Sequence, residues 1–339
     1  MKVISSSNGL EATRRAFALL EQGADTLDAA VAGVTLVEDD PDDTSVGYGG
    51  LPNENGVVEL DAAVMHGPTH RAGGVAALQM IRHAARVAQF VMQRTDHHLL
   101  VGDGALAFAR ACGLPEEDLL TEKARKIWLY WKQTLSDKDD WLPPTGPIDP
   151  DVARFFNLTV LPSNVAANSF AEPPAPAARR PARPRPTGTI HCAAINGRGD
   201  ISCVTSTSGL AFKIPGRAGD SCIPGAGLYV DNAIGSCGGT GRGEATLKNL
   251  SSFAAVEQMR GGKSPVEAGL EALRRVAGHT TEPWLLDEHG RPNFNLKLYL
   301  LAKDGSHAGV SLRGPGQFAV TDERGTRLEE CVPLFDGGS

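Results

Sequence analysis

The pattern of apolar and polar residues predicts helices alternating with strands in the first 141 residues. Apolar positions that recur every three or four residues are typical of a helix with one buried face. This spacing predicts helices over 10–22, 26–37, 74–94, 105–112 and, with a mostly polar surface, 116–135. Two shorter apolar runs, 57–64 and 99–101, predict strands.

The second half of the chain begins with two alternating runs, 189–195 and 201–205. They are joined through Asn196-Gly197, and Asn-Gly between apolar runs is a strong hairpin signal. Helices are then predicted over 244–260 and 265–277, followed by strands over 295–301, 307–311 and 317–320. This order fits an α/β fold with two sheets between helix layers, although hydrophobicity alone does not select it over other α/β folds.

A change of composition separates the two halves. Residues 142–186 are rich in proline, alanine and arginine, and the segment ends in a Pro-Arg tract. Proline has no backbone N–H and a fixed φ, so neither a helix nor a central strand is predicted there. We expect a solvated linker, although a basic Pro-Arg tract would also suit a protein partner or nucleic acid.

The bulk composition is that of a soluble globular protein with a sizeable core. Of the 339 residues, 41% are hydrophobic and 22% are charged. The net charge of -7 argues against a general nucleic-acid binder. No apolar run reaches the length of about 20 residues that a membrane helix needs. The N-terminus lacks the apolar core of a signal peptide, so the expected location is the cytoplasm.

Metal, cofactor and nucleotide sites are not indicated by the sequence. None of the six cysteines forms a C-x-x-C pair or a Cys/His cluster with zinc spacing, so buried packing is expected for them, with a catalytic cysteine as the alternative. The run 260–264 resembles the tail of a phosphate-binding loop. However, Glu257 stands where that motif needs glycine, and the run follows a predicted helix rather than a strand.

The strongest chemical signal lies between Gly188 and Glu244. Gly188-Thr189 opens it, and Thr207 follows within Val-Thr-Ser-Thr-Ser-Gly. Arg217 and Asp220 come next, within Gly-Arg-Ala-Gly-Asp-Ser, and then Thr240-Gly241, within Gly-Gly-Thr-Gly. In order and spacing these pieces resemble the glycosylasparaginases, amidohydrolases that cut their own chain before a threonine.

The resemblance implies a catalytic role for each of these positions. Cleavage between Gly188 and Thr189 would make Thr189 the nucleophile, with its freed α-amine as the base. An α-amine titrates near pH 8, so it is partly neutral at physiological pH. Thr207 corresponds to a threonine that hydrogen-bonds near the nucleophile, and Thr240 and Gly241 correspond to the oxyanion donors.

Arg217 and Asp220 correspond to the family pair that grips the amino-acid end of the substrate. A guanidinium holds an α-carboxylate with two parallel hydrogen bonds, and a carboxylate holds an α-ammonium. Outside such a family, an Arg-x-x-Asp in a loop is most often a surface ion pair, and a threonine that opens a strand most often has no chemical role. The substrate implied is a small amino-acid amide, with no metal and no cofactor.

The resemblance extends to the first half, at 36–41, 45–50, 60–65 and 99–105, so only about 142–186 stands outside it. It implies the four-layer αββα sandwich of the N-terminal-nucleophile hydrolases. The whole chain, 1–339, would then be a single domain, cut into an α segment, 1–188, and a β segment, 189–339. A dimer of such αβ pairs is the implied assembly.

Two departures from the family pattern bear on the substrate. Glycosylasparaginases usually have aspartate before the nucleophile, whereas this chain has Gly188. They also have a tryptophan near the start, where this chain has Ser5-Ser6-Ser7. The plant-type asparaginases and isoaspartyl peptidases have Gly-Thr at the cleavage point and still process themselves.

Three hypotheses follow from this combination. The first is hydrolysis of N4-(β-N-acetylglucosaminyl)-L-asparagine to aspartate and a glycosylamine, which the similarity along the whole chain favours. The second is the same chemistry on L-asparagine or β-aspartyl dipeptides, which Gly188 and the lost tryptophan favour. The third is a relative that neither processes itself nor catalyses a reaction, but binds an amino acid or a partner.

Overall fold

A computed structural model describes residues 1–134 and 188–336 of the chain. The linker predicted over 142–186 therefore lies outside the described residues. Within them, none of the helices combines the length and the apolar content needed to cross a bilayer.

The described helices are α1 Leu10–Glu21, α2 Thr26–Glu38, α3 Ala84–Arg94, α4 Gly102–Ala111, α5 Glu122–Thr134, α6 Gly243–Asn249, α7 Ser251–Arg260 and α8 Pro265–Gly278. The described strands are β1 Lys2–Ser6, β2 Leu60–His66, β3 Arg71–Leu78, β4 Leu99–Val101, β5 Ile190–Ile195, β6 Ile201–Thr207, β7 Leu228–Asp231, β8 Gly235–Gly241, β9 Leu296–Ala302, β10 His307–Arg313, β11 Gln317–Asp322, β12 Gly325–Glu330 and β13 Val332–Phe335.

The strands form two sheets, which confirms the mixed α/β prediction. The larger sheet has eight strands in the order β12-β11-β1-β5-β6-β2-β3-β4, and the smaller has five in the order β13-β10-β9-β8-β7. Most neighbours are antiparallel, including the predicted hairpin of β5 and β6. Because β5 lies between β1 and β6, the residues just before it sit at the end of a central strand.

Three of the four hydrophobic clusters in the described residues pack these helices and sheets together. One packs α1 to α4 against the larger sheet, and includes Leu27, Val64 and Val204. A second joins residues of both sheets, such as Ile4 from β1 and Leu301 from β9. A third packs α7 and α8 on the smaller sheet. Five of the six cysteines are buried and Cys112 is half-buried, so the packing role expected for them is confirmed.

The helix predicted over 74–94 is wrong in its first half. Residues 71–78 form β3, paired with β2, and the helix begins only at Ala84. Alanine and glycine in this stretch fit a close helix–sheet contact, because a Cβ on Gly73 would lie 2.3 Å from the carbonyl oxygen of Ala88. Ala76 and Ala77 are good helix formers in isolation, so the local pattern predicted a helix where packing requires a strand.

The helix predicted over 244–260 is divided in two. Leu250 adopts a left-handed conformation with φ of 46°, which ends α6 and starts α7. The first N–H groups of α7 then bond to a distant loop: Ser252 to Ala226 and Phe253 to Gly225. The first N–H groups of a helix have no partner within the helix, and here the distant loop supplies one. These hydrogen bonds explain why the helix breaks at Leu250.

The remaining predicted elements exist, with shifted ends. The polar helix predicted over 116–135 begins at Glu122, and the strand predicted over 57–64 runs from Leu60 to His66. Besides β3, five of the described strands were not predicted: β1, β7, β8, β12 and β13. Strand β8, with the sequence Gly-Ser-Cys-Gly-Gly-Thr-Gly, carries almost no strand-forming side chains, so only its pairing with β7 and β9 defines it.

The contact between α1 and α2 allows a stability test. A Cβ on Gly33 would lie 2.5 Å from the carbonyl oxygen of Ala12, so Gly33→Ala must push the two helices apart. We expect the free energy of unfolding to fall by about 2 kcal/mol, measured by urea denaturation. Gly104→Ala is the matched control, because nothing lies within 4 Å of a Cβ at that helical position. An equal loss in both variants would contradict the close-contact explanation.

Candidate active site

The predicted nucleophile, Thr189, lies next to Thr207 at the end of adjacent strands. Thr189 immediately precedes β5, and Thr207 is the last residue of β6. The register, in which Ile190 is opposite Ser206, brings the two threonines together. Their Oγ1 atoms are 3.2 Å apart.

Both hydroxyls approach the carbonyl oxygen of Gly188. The Oγ1 of Thr189 and the Oγ1 of Thr207 each lie 2.7 Å from it. In turn, the Oγ1 of Thr207 accepts a hydrogen bond from the backbone N–H of Gly209 at 2.9 Å, which fixes its position. The carbonyl of the Gly188–Thr189 peptide bond therefore accepts hydrogen bonds from two hydroxyls. One belongs to Thr189 itself and the other to the neighbouring Thr207.

Gly188 is packed so tightly that it has no room for a side chain. A Cβ on Gly188 would lie 2.1 Å from the Oγ of Ser45. Ser45 is itself fixed, because its Oγ donates to Asp43 at 2.5 Å and its carbonyl accepts from the N–H of Ser208 at 2.7 Å. The glycine found here in place of the family's aspartate therefore has a steric reason in this chain.

A cavity of about 330 Å³ opens beside Thr189. Its volume is within the usual range for small-molecule sites. Its lining residues come from both sheets and from the loops between them: Ser6, Ser7, Asn8, Asp43, Ser45, Gly188, Thr189, Thr240, Gly241, Asn295, Lys297 and Tyr299. The structure thus gathers four of the residues predicted from sequence, Gly188, Thr189, Thr240 and Gly241, around one space.

Several lining residues are not among the site residues predicted from the sequence. Ser6, Ser7 and Asn8 stand where the sequence lacks the family's tryptophan, and they give that wall a polar surface. Tyr299 is an aromatic residue of the wall, and it comes from β9, far away in the sequence. No local motif marks Asn295, Lys297 or Tyr299, because they belong to an ordinary apolar strand or its edge.

Thr240 and Gly241 end strand β8 at the cavity. The Oγ1 of Thr240 is 2.9 Å from the phenolic oxygen of Tyr299. Gly241 has φ of 123°, and a Cβ there would lie 2.4 Å from the carbonyl oxygen of Asn295. A side chain at this position would collide with the backbone of Asn295, which gives the glycine a steric reason.

Arg217 and Asp220 do not line this cavity. The guanidinium of Arg217 bonds to the Oε1 of Glu244 through Nε at 2.9 Å and Nη2 at 2.7 Å. Although burial alone would raise the pKa of Glu244, the neighbouring Arg217 lowers it. The Oδ2 of Asp220 accepts from the hydroxyl of Thr246 at 2.7 Å, and burial raises the pKa of Asp220 to about 6.

The two charged groups nonetheless converge on one point. A Cβ on Gly243 would lie 2.7 Å from the Oδ1 of Asp220 and 3.1 Å from the Nη2 of Arg217. Gly243 is two residues beyond Gly241, which lines the cavity. On the other side, the Nη1 of Arg217 is 3.4 Å from the Cβ position of Gly209, whose N–H binds Thr207. Arg217 therefore lies between Gly209, which follows β6, and Gly243, which follows β8.

Buried charged residues at the start of β2 and within the loop itself hold the loop that carries Arg217 and Asp220. The Oδ2 of Asp61 accepts from the N–H of Gly219 at 3.0 Å, and the carboxylate of Glu59 accepts from the N–H of Gly216 at 3.1 Å. Lys213 is buried and donates to the carbonyls of Glu59 and Ser208. The sequence signal for these supports was a carboxylate inside an apolar strand, at Leu60-Asp61-Ala62.

The chain is similar to known proteins over most of its length. Residues 4–283, most of the chain, match the sequence profile of a family described as asparaginase. The chain belongs to the asparaginase family. Members of this family hydrolyse amide C–N bonds, so the chemistry expected of the threonine site is that of a hydrolase. Within the described residues, no group of three or more His, Cys, Asp or Glu is arranged to hold a metal ion.

Individual relatives in the asparaginase family carry two kinds of name. The chain is 35% identical over 330 residues, 96% of its length and 83% of the relative's, to an N(4)-(β-N-acetylglucosaminyl)-L-asparaginase of Elizabethkingia miricola. It is 35% identical over 275 residues, 78% of its length and 74% of the relative's, to the mouse protein of the same name. It is 34% identical over 327 residues, 94% and 86% of the two lengths, to a probable isoaspartyl peptidase/L-asparaginase of Arabidopsis thaliana.

Proposed function

We propose that this protein is a self-processing amidohydrolase that cleaves the side-chain amide of N4-(β-N-acetylglucosaminyl)-L-asparagine. The products are aspartate and a glycosylamine. The observation that carries the proposal is the meeting of the Thr189 and Thr207 hydroxyls at the Gly188 carbonyl oxygen. The names and coverage of the bacterial and mouse relatives support this substrate.

Self-cleavage begins at the Gly188 carbonyl. The Oγ1 of Thr189 attacks the carbonyl carbon, and the hydroxyl of Thr207 donates to the oxygen, on which negative charge develops. The C–N bond then breaks, the nitrogen takes up the proton that the Thr189 hydroxyl gives up, and an ester links Gly188 to the Thr189 side chain. Water hydrolyses the ester, which releases the carboxylate of Gly188 and a free Thr189 with both hydroxyl and α-amine. The products are the segments 1–188 and 189–339.

Substrate turnover uses the same hydroxyl. The free amine of Thr189 accepts the hydroxyl proton as the oxygen attacks the side-chain amide carbon of the substrate. Thr240 and Gly241 bind the oxyanion, and the glycosylamine leaves with the proton. Water then hydrolyses the β-aspartyl ester and frees aspartate. Arg217, partly engaged by Glu244, holds the α-carboxylate, and Asp220 holds the α-ammonium.

The finer architecture is part of the same proposal. The helices packed on each sheet and the cluster that joins the sheets fit the four-layer αββα sandwich of the N-terminal-nucleophile hydrolases. We also infer one domain over the whole chain and a dimer of cleaved αβ pairs. Sedimentation of the cleaved protein at twice the mass of one pair would support that assembly.

A second candidate substrate class rests on the polar cavity wall. Ser6, Ser7 and Asn8 offer no apolar surface for a sugar ring, and the Arabidopsis relative is named for isoaspartyl peptides and asparagine. Arg217 and Asp220 would bind the α-carboxylate and the α-ammonium of these substrates in the same way. Only the leaving group differs, namely ammonia or an amino acid in place of a glycosylamine.

The substrate test compares three amides at equal concentration. Cleaved protein is incubated with N4-(β-N-acetylglucosaminyl)-L-asparagine, L-asparagine or a β-aspartyl dipeptide, and released aspartate is measured. We expect the highest kcat/KM with the sugar amide. A higher kcat/KM with either of the others would favour the second class. Chain that stays uncleaved and binds aspartate without turnover would indicate a binding protein instead.

The buried carboxyl of Asp220 predicts a feature of the pH profile. Burial raises its pKa to about 6, so acid protonates it and removes the charge that holds the substrate ammonium. Since kcat/KM reports the free enzyme, we expect the slope of log kcat/KM against pH to increase by one unit below about pH 6. The Thr189 amine gives a separate break nearer pH 8. In Asp220→Asn the lower break should be absent; its persistence would contradict the assignment.

A further inference from the structure

Tyr299 reaches the cavity from the strand next to Thr240, and its hydroxyl is buried. Strand β9 pairs with β8 so that Tyr299 is opposite Gly238 and Lys297 is opposite Thr240, which puts all four on one face of the sheet. The phenolic oxygen of Tyr299 lies 2.9 Å from the Oγ1 of Thr240. The tyrosine side chain is almost fully buried, with 1% of its surface exposed.

Either oxygen could donate in this hydrogen bond, and the burial of the phenol favours donation by Tyr299. Burial raises the pKa of Tyr299 well above its ordinary value, so the phenol keeps its proton. A buried O–H needs an acceptor, and within the described residues the phenol's hydrogen-bond partner is Thr240. If Tyr299 donates to the Oγ1 of Thr240, the hydroxyl proton of Thr240 cannot point toward the phenolic oxygen. The Thr240 proton then points into the cavity. The hydrogen bond that the Thr240 oxygen accepts also makes the Thr240 hydroxyl a stronger donor.

A neutral histidine holds the tyrosine ring in place. The ring of His191 is stacked on that of Tyr299, with centroids 6.2 Å apart and planes 8° from parallel. His191 is fully buried, its Nδ1 is 3.0 Å from the hydroxyl of Thr205, and burial lowers its pKa to about 3. It is therefore neutral near pH 7.

Gly238 makes room for this arrangement. A Cβ on Gly238 would lie 2.0 Å from the Nδ1 and 2.1 Å from the Cε1 of His191. Because Gly238 is opposite Tyr299 in the sheet, the space that its missing side chain leaves is filled by the histidine ring. His191, Gly238 and Tyr299 thus form one packed unit behind Thr240.

We propose that Tyr299 is a positioning residue, which donates a hydrogen bond to Thr240 and thereby turns the Thr240 hydroxyl toward the developing oxyanion. His191 and Gly238 fix the ring that carries this donor. The inference rests on the proposed role of Thr240 in amide hydrolysis. It extends that role to a residue that does not touch the reacting atoms.

The test is a double-mutant cycle in the cleaved enzyme. Tyr299→Phe keeps the ring and its packing, and removes only the hydroxyl. We expect kcat to fall roughly tenfold to a hundredfold with KM nearly unchanged, because the lost interaction serves the transition state. Thr240→Ala should lower kcat about a hundredfold. Adding Tyr299→Phe to Thr240→Ala should then have no further effect, because the target of the hydrogen bond is gone.

Tyr229→Phe is the matched control. Tyr229 lies on β7, is half-buried, and packs edge-on against Phe253 outside the cavity. Its variant should keep the wild-type kcat. Mass spectrometry should find the chain cut at Gly188–Thr189 in Tyr299→Phe as in the wild type, because Tyr299 does not contact the Gly188 carbonyl.

The outcomes separate the two proposals. If Thr240→Ala lowers kcat and Tyr299→Phe does not, the role of Tyr299 is overturned and that of Thr240 stands. If the two substitutions lower kcat independently and multiply in the double variant, Tyr299 acts other than through Thr240, and the inference is wrong. If Thr240→Ala leaves kcat unchanged, the proposed oxyanion role of Thr240 fails, and with it the basis of the inference.

Discussion

Thr189→Ala should abolish both chain cleavage and amide hydrolysis. The alanine has no oxygen to attack the Gly188 carbonyl, so no ester forms and the 35.7 kDa chain stays whole. Without the hydroxyl there is also no nucleophile for the substrate, and loss of a nucleophile costs about five orders of magnitude or more in kcat. The measurement is the intact mass under denaturing conditions after prolonged incubation, together with aspartate release from the sugar amide.

Thr189→Ser is the control for this experiment. Serine keeps an attacking hydroxyl, and its removal of one methyl group leaves the hydrogen bonds to Gly188 and Thr207 available. We therefore expect two fragments and measurable hydrolysis from the serine variant. Wild-type chain that remains unbroken would contradict self-processing, and cleavage of the alanine variant at the same bond would point to a protease acting in trans.

Thr207→Val should slow chain cleavage by about two to three orders of magnitude. Valine has nearly the shape of threonine but cannot donate to the Gly188 carbonyl oxygen, which the Thr207 hydroxyl approaches at 2.7 Å. The developing oxyanion of the self-cleavage step then lacks that donor. The rate is followed by mass spectrometry of freshly prepared protein, sampled over hours to days.

Folding must be separated from chemistry in this variant. The valine also leaves the N–H of Gly209 without its 2.9 Å acceptor, which should cost about 1 kcal/mol of stability. Thr207→Ser restores a hydroxyl at the same place and should restore most of the cleavage rate. If Thr207→Val is folded in urea titrations and cleaves as fast as the wild type, Thr207 does not stabilise the oxyanion of self-cleavage.

The glycine before Thr189 is explained only when sequence and structure are considered together. The sequence marks it as a departure from the family's aspartate and leaves its effect open. The structure gives the reason, since Ser45 occupies the space of a side chain there. Ser45 is more than a hundred positions away, so no local pattern can reveal that contact.

Features that depend on residues close together in the chain could be predicted from the sequence. The Asn-Gly turn between two alternating runs predicted the hairpin of β5 and β6, and helical spacing predicted α1, α2 and α8. The order of Thr189, Thr207, Arg217, Asp220 and Thr240 pointed to the family, which the match over residues 4–283 confirms. These predictions succeed because turn geometry and helix periodicity depend on neighbouring residues in the chain.

Tertiary structure alone decided the rest. The strand over 71–78 and the break at Leu250 depend on what packs against them, and both contradicted the local pattern. The partnership of Tyr299 with Thr240 depends on the register of β8 and β9, which sequence periodicity does not specify between strands so far apart. By itself, then, the sequence determined the family and the residues available for chemistry. Strand register and close packing decided which of those residues meet, because both are set by contacts between distant parts of the chain.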